Sequence, residues 1–80
     1  TVPSGDVGDQ IARALVEERL AACVNLLPAM TSVYRWHEAV QHDLEHQLVI
    51  KTLRTSVPEV RARVLALHPY ELPEFLVLSV

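Results

Sequence analysis

From residue 22 to residue 53 the apolar residues follow the period of extended backbone, and on either side of that stretch they follow the period of a helix. Nothing else constrains the fold as much. Two strands close in sequence pair as an antiparallel hairpin, and the flanking helices must cover it. On the N-terminal side Val7, Ile11, Ala14 and Leu15 recur at three-to-four spacing, which predicts a helix over 5–19. Ser4 is placed to cap it, while Asp6 and Asp9 suit the positive end of its dipole and Arg19 the negative end. From Ala22 the period changes. Val24, Leu26 and Leu27 run to Pro28, which removes a ladder donor and predicts a bulge or an edge. Beyond it Thr31, Val33 and Arg35 alternate with Met30, Ser32, Tyr34 and Trp36. The polar segment His37–His46 reads as the hairpin connection with frayed strand ends. Gln47–Leu53 reads as the second strand, with Leu48-Val49-Ile50 apolar on both faces like a central strand.

The second helix is signalled by Ser56-Val57-Pro58-Glu59. Ser and Glu three residues apart form a capping box, and the missing N–H of Pro58 costs nothing in a first turn. Val57, Val60, Val64 and Leu67 share one face, and Pro69 ends the helix. Phe75–Val80 reads as a last strand, apolar on both faces. The order α-β-β-α-β is the split βαβ or ferredoxin-like plan lacking its first strand. The expected class is α+β, an antiparallel sheet with two helices on one face. Thr1-Val2-Pro3 stands where the first strand would exit, so residues 1–80 read as one domain with its start removed.

Leu and Val supply twelve residues each. A domain this small buries only about 60% of the surface its unfolded chain exposes. That is more aliphatic material than one core needs, so part of it is expected at a subunit interface or against missing parts of the fold. Net charge is −3, and the six Arg and one Lys form no basic stripe, which speaks against nucleic acid as a partner. One cysteine makes neither an internal disulfide nor a thiolate zinc site, in keeping with a reducing compartment. Apolar runs such as Phe75–Leu78 fall far short of the roughly 20 residues of a membrane span. No signal-peptide pattern opens the sequence. The expectation is a soluble cytoplasmic domain.

No nucleophile motif, phosphate loop or enzyme signature is present, so the candidate chemistry rests on single residues. His37, His42 and His46 lie in or beside the polar segment, as exposed turn residues or as a metal cluster formed between subunits. His68 ends a helix and opens a proline-stiffened loop that also presents Tyr70, Glu71 and Glu74; it is either a helix cap or part of a site. Cys23 among Ala21, Ala22 and Val24 reads as a small hydrophobe, or as a soft ligand lacking companions. Lys51, the sole lysine, is an anion anchor or an edge-blocking charge.

Four blocks of residues then fall together. Glu17-Glu18-Arg19-Leu20-Ala21-Ala22-Cys23-Val24-Asn25, Thr31-Ser32-Val33-Tyr34-Arg35-Trp36, Ile50-Lys51-Thr52 and His68-Pro69-Tyr70-Glu71-Leu72-Pro73-Glu74 resemble the CutA divalent-cation-tolerance proteins, in order and spacing. The resemblance implies a ferredoxin-like subunit of an interlocked homotrimer, similar in architecture to the PII signalling proteins. It also implies a non-enzymatic role in tolerance of divalent metals, copper first among them, and a further C-terminal turn and helix beyond Val80. Cys23, Trp36, Lys51, His68, Tyr70 and Glu71 would cluster near an intersubunit cleft. Within it His68, Glu71 and Cys23 would hold the metal, and Trp36, Lys51 and Tyr70 would line the site. The chain departs from the family in carrying Trp36-His37-Glu38-Ala39 where Trp-x-Gly is usual, and Ala29 where Gly commonly follows Pro. It also lacks the further cysteines of some members. The alternative is a PII-like sensor whose Lys51 and His68 hold a small anionic ligand. A third reading is a trimeric scaffold for a partner protein.

Overall fold

The computed structural model describes residues 1–68 and 74–80. Helix α1 spans Gly5–Glu17, where Ser4 Oγ accepts the Val7 N–H at 3.2 Å as the sequence leads one to expect. It stops two residues short of the predicted end, and Arg19 is not in its last turn. Instead Arg19 adopts φ 61, the Arg19 N–H bonds the Val16 carbonyl at 3.1 Å, and the Leu20 N–H bonds that of Leu15 at 2.9 Å. This is a Schellman cap, whose left-handed residue is usually glycine because a Cβ there costs about 1–2 kcal/mol.

Four strands follow: β1 Cys23–Leu26, β2 Met30–Trp36, β3 Ala39–Glu45 and β4 Leu48–Lys51. They make two antiparallel pairs, β1 with β4 and β2 with β3, in one long bent hairpin. Leu26 pairs with Leu48 and Met30 with Glu45, so four steps on the first arm face three on the second. The extra residue sits in Leu27-Pro28-Ala29, the bulge that Pro28 predicted.

The expectation for His37–His46 is wrong. Most of it is strand β3, and the connection is only His37-Glu38, at φ 50 and 64. A two-residue turn with both residues left-handed matches the right-handed twist of the strands and normally carries Asn-Gly. Here the ladder of seven pairs from Met30↔Glu45 to Trp36↔Ala39 imposes the turn on residues that do not favour it. Glu38→Gly will raise stability by about 1 kcal/mol in urea denaturation, because glycine occupies that region freely. An unchanged or lower midpoint would show the turn to be relaxed.

The second strand is shorter than 47–53. Beyond β4 the chain enters a single 3-10 turn, Arg54–Ser56, and then helix α2, Val57–Leu67. That turn also undoes the capping box. Ser56 is itself helical at φ −90 and ψ −8, and its side chain makes no cap hydrogen bond. The helix ends at Leu67, and His68 is extended as the residue before a proline must be.

Phe75–Val80 is not a strand: residues 74–80 enter no ladder among the described residues. A strand is a pairing, and apolar content alone makes none. Val2 exchanges both backbone hydrogen bonds with His46, at 2.7 and 2.9 Å.

Both helices lie against one face of the β1–β4 pair. Ile11 and Leu15 of α1 and Val60 and Val64 of α2 are buried with Val2 and Ala21, and Val24, Leu48 and Ile50 pack on them from the sheet. Gly8 lets α1 approach closely, since a Cβ there would stand 2.6 Å from Leu26 Cδ1. Glu18 accepts two hydrogen bonds from Arg63 at 2.8 Å and ties the helices together. That hydrogen bond, then the charge of Glu18, raises the Arg63 pKa above its ordinary value. The architecture is α+β, ferredoxin-like.

Candidate functional site

Strand pairing brings two of the expected site residues together. Cys23 and Lys51 are directly opposed at the end of β1 and β4, so their side chains leave the same face of the sheet. Cys23 is half-buried and Lys51 exposed. Their neighbours Val24 and Ile50 point into the helix-covered core, so by strand alternation Cys23 and Lys51 point away from it.

His68 lies on the other side. It caps α2, is 7% exposed, and its Nε2 is 2.7 Å from the Thr1 carbonyl oxygen. A carbonyl only accepts, so Nε2 carries the proton and donates. The same residue's hydroxyl donates to Glu45 at 2.8 Å. A cavity of about 130 Å3 beside His68 is bounded by Val2, Ile50, Val64, Glu74 and Phe75. Phe75 is covered in turn by the Arg61 guanidinium, 5.7 Å from its ring centre.

Trp36 is remote from all of these. It stands at the hairpin tip, 62% exposed, its ring meeting His37 edge-on at 4.8 Å. Tyr70 and Glu71 lie outside the described residues. The expected cluster therefore resolves into three places on one chain: Cys23 with Lys51, His68 under the helices, and Trp36 at the tip. His68 and Cys23 have the sheet between them, and a ring whose Nε2 donates to a carbonyl cannot offer that nitrogen to a metal. Among the described residues no three His, Cys, Asp or Glu side chains are grouped to hold an ion. Among the described residues, one chain alone does not bring the expected metal ligands together.

The remaining histidines do not supply one either. His42 is exposed on β3 opposite Val33, whereas His46 Nδ1 lies 2.9 Å from the Leu27 carbonyl and braces the bulge. Four extended residues span about 13 Å, too far for a shared ion.

Sequence reasoning missed the groove at the other end of the sheet. It has a volume of about 610 Å3 and lies between the end of α1 and the start of α2, with Arg19, Lys51 and Thr52 on its wall. Thr52 Oγ1 donates to the Leu20 carbonyl at 2.6 Å and fixes its floor. The available signal was a charged residue, Arg19, directly after a helix where a glycine cap is usual.

Comparison with known proteins gives this geometry its context. The Thermus thermophilus protein named divalent-cation tolerance protein CutA is 52% identical over 80 residues, all of this chain and 78% of its own length. Mouse protein CutA is 46% identical over the same residues, and the chain spans 45% of it. The solved T. thermophilus structure superposes with a TM-score of 0.95, covering 99% of this chain and 77% of that one. The Nostoc structure described as PII-like protein CutA in apo form gives 0.89 at 42% identity, covering 99% and 74%. The family model for the CutA1 divalent ion tolerance protein matches residues 1–80, and the chain belongs to that family.

Proposed function

We propose that the protein acts in divalent-cation tolerance as a cytoplasmic homotrimer that binds copper and catalyses no reaction. The observation that supports this most is the β2–β3 hairpin. It projects beyond the helix layer and carries exposed Val33, Val40 and Leu44, at 60%, 57% and 68%, on one face. Aliphatic side chains concentrated this way call for a partner surface, and a second and third copy supply it. The cytoplasmic assignment is supported by the single cysteine, half-exposed and unpaired. Among the described residues, no helix is long and apolar enough to cross a membrane.

Assembly also gives the metal reading its form. Because Cys23 and His68 lie on opposite faces of one sheet, their meeting requires two subunits, with His68 and Glu71 from one and Cys23 from its neighbour. Imidazole, carboxylate and thiolate form a donor set that suits copper, and on binding His68 Nε2 would exchange the Thr1 carbonyl for the metal. Lys51, Trp36 and Tyr70 would border the same intersubunit cleft.

Calorimetric titration of copper(II) into the wild type and His68→Ala tests the assignment. Affinity is expected to fall at least about tenfold, the loss that follows even when an outer-shell partner is removed. Cys23→Ser, which removes a half-exposed side chain and no core contact, guards against misreading a folding defect and is expected to weaken binding as well. Unchanged affinity in both variants would overturn the site, and loss in His42→Ala instead would move it to the hairpin.

A further inference from the structure

We propose that His42 makes assembly of the hairpins pH-dependent, its imidazole closing into the subunit interface when neutral and driving the copies apart when protonated. The inference rests on the trimer reading above and names how that same surface is regulated. Strand alternation puts Thr31, Val33 and Arg35 of β2 and Val40, His42 and Leu44 of β3 on one face of the hairpin. His42 stands directly opposite Val33, with Val40 and Leu44 on either side of it along β3. All four are exposed in the single chain. A contact that covers the three aliphatic side chains therefore covers the imidazole as well.

The face offers no compensation for a charge there. Among the described residues of the two strands, the other charged side chain on it is Arg35, diagonal to His42, and a guanidinium repels an imidazolium. The strand carboxylates Asp43 and Glu45 leave the opposite face, where Asp43 accepts the Tyr34 hydroxyl and Glu45 that of Thr1. Glu38 lies in the turn beyond Val40, and the helices pack on the β1–β4 pair. Imidazole is the side chain that changes charge between about pH 5 and 8. Burial among aliphatic groups disfavours its charged form, so separated chains bind more protons than the assembly does. By linkage, association is complete above that range and is lost as the pH falls through it. One histidine per subunit enters three times per trimer, which makes the dependence steep.

Light scattering on a sizing column, over a concentration series at about pH 7.5 and about pH 5.5, tests this. Metal-free buffer separates the effect from loss of copper at His68, and circular dichroism separates dissociation from unfolding. For the wild type, the concentration at which half the chains are assembled is expected to rise at least about tenfold at the lower pH. His42→Gln keeps a polar side chain that does not titrate and leaves His37, His46 and His68 in place. It is expected to assemble equally at both pH values. His42→Lys, charged throughout, is expected to be mostly monomeric even at the higher pH. A wild type that is monomeric at the higher pH would overturn the trimer reading and the switch with it. The switch alone is overturned if the wild type assembles equally at both, if His42→Gln still dissociates in acid, or if His42→Lys assembles like the wild type.

Discussion

Replacing Val33 and Leu44 together with aspartate is expected to turn the proposed trimer, a particle of about three times 9.0 kDa, into one of 9.0 kDa, read by light scattering on a sizing column. Thr31 pairs with Leu44 and Val33 with His42, so the two substitutions fall on adjacent rungs of one hairpin face, with Val40 a further rung on. Covering an exposed Val or Leu is worth about 1.5–3 kcal/mol per side chain. A trimer repeats that gain at three interfaces. An unpaired carboxylate in the same place reverses the sign, since its desolvation is not compensated. The β2–β3 ladder itself should survive, because its hydrogen bonds and the Tyr34 hydroxyl bond to Asp43 lie outside the change. Circular dichroism therefore separates dissociation from unfolding. A variant that stays trimeric would place the interface elsewhere, and a monomeric wild type would remove the trimer altogether.

What the sequence made legible was decided by how local the cause is. The Ser4 cap and the Pro28 bulge rest on one or two residues whose geometry is fixed by their own chemistry, and both are where expected. The His37-Glu38 turn was invisible for the opposite reason. Neither residue favours positive φ, and it is the seven-pair ladder on either side that puts them there. Ser56 shows local chemistry losing to context: Ser and Glu stand at the right spacing, yet the preceding 3-10 turn already makes Ser56 helical. The site divides the same way. Cys23 and Lys51 could be placed opposite each other once the strands were paired, but the face they share depends on the register, which the bulge shifts by one residue. That His68 donates to the Thr1 carbonyl, 67 positions away in sequence, could be read from no window of the chain.

The core is small enough that one residue decides whether the fold persists. Leu15→Ala is expected to cost about 3–4 kcal/mol, the middle of the range for deleting a fully buried leucine side chain. Leu15 is 0% exposed and sits among Ile11, Val60 and Val64, where helix α1 meets α2 and the sheet. Its backbone carbonyl separately accepts the Leu20 and Ala21 N–H groups at 2.9 and 3.1 Å, and the substitution leaves that cap in place. The loss is thus a packing loss. A chain of this length carries roughly 4–12 kcal/mol of stability in total, so the variant forfeits a quarter or more of it. In thermal denaturation that corresponds to a fall of roughly 15–25 °C. Val16→Ala, one position along the same helix and 44% exposed, should cost under about 1 kcal/mol and calibrates the comparison. If unfolding is linked to trimer dissociation, both melting temperatures will rise with protein concentration. The gap between them will remain, because the cavity lies inside each subunit. A fall of less than about 5 °C for Leu15→Ala would mean that the hairpin interface, and not this core, carries the fold.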